Sequence, residues 1–117
     1  MAIKTYLFLK SSGRCPLEEY ILSLNSKREV AYIHATIDKL TQHDGHLPPP
    51  YAKKVREKIW EMRSPLGNRV FYFIDLGRQI ILLDGYTKKT NRIAPRVLKR
   101  VMNMYREYLI TKHRKPY

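Results

Sequence analysis

A chain of 117 residues with 23 Lys and Arg against 10 Asp and Glu carries a formal +13 at pH 7, in a length that fits one domain. Such a charge repels itself in a compact fold and calls for an anionic partner: nucleic acid, an acidic protein or an anionic membrane. One cysteine, Cys15, excludes an internal disulfide and fits a reducing cytoplasm, and no stretch approaches the roughly 20 apolar residues of a membrane span. Residues 1–10 also lack the long apolar run of a signal peptide, so a cytoplasmic protein without a membrane partner is expected.

Ile3 to Leu9 alternates apolar and polar or aromatic residues, which predicts a first strand. Pro16 suits the first position of a helix, with Glu18 and Glu19 in its first turn, and Leu17, Tyr20, Ile21 and Leu24 share its inner face. Ser26 and Glu29 have capping-box spacing and open a second helix, whose buried stripe is Val30, Ile33, Ile37 and Leu40. Gly45 and Pro48-Pro49-Pro50 make a loop. Three strands of a meander follow: Lys58–Arg63, Arg69–Ile74 and Gln79–Asp84 with an extension toward Thr87, the last buried on both sides through Ile80-Ile81-Leu82-Leu83. Pro95 opens a final helix with an apolar stripe of Val97, Val101, Met104, Tyr105, Tyr108 and Leu109. Residues 111–117 read as a frayed tail. Strand, two helices, three strands and a helix make an α+β architecture with a small, mostly antiparallel sheet, in one domain over residues 1–117.

The charge is concentrated. Residues 86–117 hold ten of the 23 basic side chains and one of the ten acidic ones, a net +9. If the turn between the first two meander strands pairs Arg63 with Arg69, then Glu61, Arg63 and Arg69 share one face. Arginine forks suit phosphate, cations are needed where charge develops on its oxygens, and a carboxylate can take the proton of a ribose 2′-hydroxyl. The same spacing also fits a cross-strand salt-bridge ladder on the surface. The run Gly85-Tyr86-Thr87-Lys88-Lys89-Thr90-Asn91-Arg92 offers lysines for phosphates and a tyrosine for a base, and equally fits a solvated loop. Arg96 continues the basic surface on the final helix, beside Arg100, Asn103 and Glu107. Of Trp60, Phe71, Tyr72 and Phe73, at least three are expected in the core; the Tyr72 hydroxyl is the one placed to reach a site. His43-Asp44-Gly45-His46 lacks a second ligand pair and is a weak metal signal, so no metal or cofactor is expected. His34 and Cys15 read as structural.

Lys58-Ile59-Trp60-Glu61-Met62-Arg63, Asn68-Arg69-Val70-Phe71-Tyr72-Phe73, and Ile80 through Thr90 followed by Pro95 resemble, in order, the hairpin and last strand of HigB-like toxins of the RelE/ParE superfamily. The resemblance runs from about Tyr51 to Leu109 and implies a RelE-type fold and a type II toxin–antitoxin toxin. It further implies ribosome-associated cleavage of mRNA by the adjacent 2′-hydroxyl, leaving a cyclic phosphate, and a cognate antitoxin with a DNA-binding domain. The arginine of the second hairpin strand recurs in the family, and Arg69 holds that place. Some relatives have lysine where this chain has Glu61, some have a histidine near the position of Tyr86, and their C-terminal tyrosine has no secure counterpart here. The catalytic set expected on this basis is Arg69, Arg63, Glu61 and Lys88, with Lys89, Tyr86, Arg92, Arg96 and Tyr72 touching RNA. Glu61 would be the base, and Lys88 or Lys89 would donate a proton or hold phosphate. Two other readings stay open: a ParE-like inhibitor of gyrase without cleavage, and an RNA-binding module without catalysis.

Overall fold

The structure, a computed structural model, describes residues 3–87 and 92–117. Its elements in chain order are β1 (Lys4–Phe8), α1 (Pro16–Leu22), α2 (Lys27–Gln42), β2 (Ala52–Arg56), β3 (Ile59–Arg63), β4 (Asn68–Asp75), β5 (Gln79–Thr87), α3 (Pro95–Thr111) and β6 (Arg114–Pro116). The strands form one six-stranded sheet in the order β2-β3-β4-β5-β1-β6. All pairings are antiparallel except that of β1 with β5. The α+β class and the three helices match the expectation from sequence. The sheet is larger than expected and mixed.

Helices cover both faces of the sheet, so the central strand is buried on each side. On one face α1 and α2 pack Leu17, Ile33, Ile37 and Leu40 against Leu7, Met62, Val70, Tyr72, Ile80 and Leu82. On the other, α3 packs Val97, Val101, Met102, Met104, Tyr105 and Tyr108 against Phe8, Ile59, Phe71, Phe73, Ile81 and Leu83. The alternation of Ile80-Ile81-Leu82-Leu83 between the two cores is the period of two that a strand imposes. Met102 takes the buried place assigned to Leu109, which is 44% exposed.

Local chemistry sets the helix starts. Pro16 opens α1 with Glu18 and Glu19 in its first turn. Ser26 caps α2 by accepting from the Glu29 amide at 3.1 Å. The reciprocal half of the capping box is not made, because Glu29 turns to Asn68 instead.

One expectation is corrected and one element is added. The tail is not frayed: Arg114–Pro116 adds a strand to β1, and the Tyr117 amide donates to the Thr5 carbonyl at 3.1 Å. Side chains fix it there, with the Arg114 guanidinium 4.3 Å from the centre of the Tyr6 ring and 2.8 Å from the Tyr108 hydroxyl. Ala52–Arg56 also forms a strand, at the opposite edge. No helix among the described residues is long and apolar enough to cross a membrane.

A bulge in β5 decides which side chains meet. Tyr72 pairs with Leu82 but Phe71 with Asp84, leaving Leu83 as the surplus residue. Leu83 and Asp84 therefore both lie on the α3 side, and Tyr86, opposite Arg69, joins them.

Candidate functional site

The hairpin of β3 and β4 has the register expected from its turn. Arg63 pairs with Arg69, Met62 with Val70 and Glu61 with Phe71. Glu61, Arg63 and Arg69 thus occupy positions on the α3 side of the sheet, at the end where β3 and β4 turn. Tyr86 is brought opposite Arg69 by the bulge in β5.

Three of these groups are in direct contact. The Arg69 Nε lies 3.8 Å from Glu61 Oε1, and the Tyr86 hydroxyl donates to Glu61 Oε2 at 3.3 Å. The Tyr86 ring stacks on Phe71 with centroids 5.3 Å apart and 6° between planes. Burial, then the charge and hydrogen bond of Glu61, push the Tyr86 hydroxyl up to about 12, against the opposing pull of Arg69. Tyr86 therefore stays protonated near neutral pH and donates to the carboxylate.

Arg69 is mostly covered, with 12% of its side chain exposed, and its Nε is buried without a hydrogen-bond acceptor. A buried N–H of a guanidinium that faces a carboxylate but forms no hydrogen bond to it is held by charge alone.

Glu61 is 2% exposed. The carboxylate assigned as base from sequence is thus enclosed beside Arg69 and Tyr86. Tyr72, expected to touch RNA, lies elsewhere. Strand alternation puts it on the α1–α2 side, 1% exposed, where burial pushes its hydroxyl up to about 12. It is a core residue on the opposite face of the sheet from Arg69. Phe71 and Phe73 are buried as expected, and Trp60 stands 36% exposed.

Arg63 is exposed at the strand end, and its guanidinium forms no ion pair among the described residues. Arg92 is exposed just before α3, and Arg96 is exposed in its first turn. Lys88 and Lys89 lie outside the described residues. His43 and His46 do not form a metal site with other residues; His43 Nδ1 instead lies 2.8 Å from the Lys39 carbonyl at the end of α2. Among the described residues, no group of three or more His, Cys, Asp or Glu is placed to hold a metal ion. Cys15 is buried at the start of α1, and burial raises its thiol. Tyr105 and Tyr108 are both buried under α3.

Sequence reasoning misses a polar network on the other side of the same corner. Asn68, 0% exposed, donates from Nδ2 to the Tyr20 hydroxyl at 2.9 Å and to Glu29 Oε1 at 3.0 Å. Tyr20 then lies 2.9 Å from Thr87 Oγ1, the last residue of β5. Asn68 has the pattern of a turn residue and Tyr20 that of an apolar stripe, and neither pattern marks a buried hydrogen-bond hub. The network ties α1 and α2 to the strand ends that carry Arg69 and Tyr86.

No curated protein matches the chain. A family profile for phage-derived Gp49-like proteins matches residues 19–106, a span that includes α2, the whole hairpin, β5 and most of α3. With that match over most of its length, the chain belongs to the phage-derived protein Gp49-like family (DUF891), a toxin-like family related to RelE and HigB.

Proposed function

We propose that the protein is the toxin of a type II toxin–antitoxin pair, with a RelE-type fold, that cleaves mRNA at the ribosome without a metal ion. The observation that carries this reading is the cluster of Arg69, Glu61 and Tyr86 at one end of the sheet, with Arg63 beside it, in a chain whose residues 86–117 carry a net +9. Membership of a toxin-like family supports it.

In this mechanism the ribose 2′-oxygen attacks the neighbouring phosphorus, the bond to the 5′-oxygen breaks, and a 2′,3′-cyclic phosphate results. Arg69 and Arg63 offset the charge that builds on the phosphate oxygens. Glu61, beside the Arg69 guanidinium, is the base that takes the 2′-proton. Lys88 and Lys89 follow the strand that carries Tyr86, and they hold RNA or protonate the leaving oxygen. The exposed cationic surface attracts RNA, and an antitoxin with a DNA-binding domain is the protein partner this reading entails.

The test is induced expression followed by mapping of mRNA ends. Wild-type protein should create new ends, and Arg69→Ala should reduce cleavage by about 100- to 1,000-fold, the cost of losing one oxyanion stabiliser. Equal cutting by both removes Arg69 from the mechanism. Growth arrest with intact mRNA and damaged DNA would favour a gyrase inhibitor instead.

A further inference from the structure

A second cationic feature lies on the far side of β5 from Arg69. Lys10, which follows β1, and Arg96, Lys99, Arg100, Asn103 and Glu107 of α3 line an open notch of about 340 Å³. Its four cations outnumber its single acid, and Glu107 is engaged by Ser11, whose amide donates to it at 2.8 Å and whose hydroxyl lies at 3.2 Å. There is no acidic residue in the first turn of α3.

One of these cations is anchored from beneath. The bulge that turns Asp84 toward α3 sets its carboxylate 3.0 Å from the Arg100 Nε. Asp84 is 5% exposed, and its other oxygen accepts from the Gly85 amide at 2.8 Å. Arg100 keeps 46% of its side chain exposed. Its guanidinium is therefore fixed at one edge and open at the other, the arrangement that lets an arginine bind phosphate with little loss of side-chain freedom.

The form of the partner follows from what the notch lacks. Among the described residues it has no aromatic lining, so it offers neither the stacking platform of a single-strand binder nor the aromatic anchors of a protein interface. Its one apolar lining residue, Met104, is 4% exposed. What remains is cations and an amide on successive turns of α3. From 96 to 103 a helix rises about 10 Å, enough to meet more than one phosphate of a regular backbone.

We propose that this notch binds the phosphate backbone of double-stranded RNA, as a docking surface separate from the Arg69 cluster, with Asp84 holding Arg100 in position. That the polyanion is RNA rests on the function proposed above. Binding does not require cleavage, so failure of either reading leaves the other distinguishable.

The experiment measures fluorescence anisotropy with full-length Arg69→Ala protein and an RNA duplex of about 20 base pairs, the same sequence single-stranded, and polyglutamate. The duplex should bind most tightly. Adding Lys99→Gln and Arg100→Gln together should weaken duplex binding about tenfold or more. It should also lower the slope of log affinity against log salt by about 2, because each phosphate left without a cation takes away about 0.9. Circular dichroism melting confirms that the variants fold. Asp84→Asn separates anchoring from bulk charge: it removes a negative charge, yet should weaken duplex binding a few-fold because Arg100 is released. Unchanged affinity and slope in the double variant would overturn the site. Equal or tighter binding of polyglutamate or single strand would overturn the duplex assignment, and tighter duplex binding by Asp84→Asn would overturn the anchoring role.

Discussion

Arg69 and Glu61 are a buried pair held by charge at 3.8 Å, with the Tyr86 hydroxyl supplying a hydrogen bond that the arginine Nε does not. Removing one partner of such a pair leaves an enclosed carboxylate without its counter-charge, and typically costs more than the pair ever contributed. Arg69→Ala is therefore expected to destabilise the protein by about 3 kcal/mol in urea unfolding. Combining it with Glu61→Gln should restore at least half of that loss, since the neutral amide no longer needs a counter-charge. If the double variant is as unstable as the sum of the two single ones, Glu61 does not exist to serve Arg69. The same double variant is the folded control for the cleavage assay, because it lacks the guanidinium without carrying a stranded carboxylate.

At the scale of elements, the corner where α1, β4 and β5 meet leaves no room. A Cβ on Gly85 would lie 2.5 Å from the Tyr20 ring and 3.1 Å from the Arg69 carbonyl oxygen. Gly85→Ala must push Tyr20 aside, and with it the hydrogen bonds to Asn68 and Thr87. Overpacking of this kind costs about 1–3 kcal/mol, and the broken network adds to it, so a loss of about 3 kcal/mol is expected in chemical unfolding. A change below about 0.5 kcal/mol would mean that Tyr20 docks loosely. Much of this layer is legible in the sequence. The Arg63–Arg69 pairing follows from turn length, and the inner faces of α1, α2 and most of α3 follow from helical spacing. The edges are not. Four of the five residues of β2 are not buried, so its pattern carries little periodicity. The three residues of β6 are placed by contacts from Arg114 to side chains such as Gln79 and Tyr108, which no local pattern reveals. Burial of Glu61 is equally hidden, since a charged residue at a strand position reads the same whether solvent or α3 lies above it.

For the whole molecule, the excess of 13 positive charges opposes compaction. Most of the ion pairs among the described residues have both partners substantially exposed or one partner so, and such pairs contribute about 0–1 kcal/mol each. Salt screens the attractive pairs and the net repulsion alike, and the repulsion is the larger sum. Raising ionic strength from about 10 to 150 mM shortens the screening length from about 30 to 8 Å, so the melting temperature should rise by several degrees. A fall over that range would show that paired charges, not surplus ones, dominate the field.

The extra residue in β5 has a consequence for how the protein tolerates length changes. Before Leu83 the strand shares its phase with β4 through the two cores; beyond it, Asp84 and Tyr86 face α3 only because one position has been skipped. Excising Leu83 would remove only the unpaired position: the pairs Tyr72–Leu82 and Phe71–Asp84 would become consecutive, and Asp84 and Tyr86 would keep both their partners and their side of the sheet. Loss of a paired residue beyond the bulge is different: deleting Gly85 would leave Asp84 facing Arg100 but turn Tyr86 to the α1 side, away from Glu61.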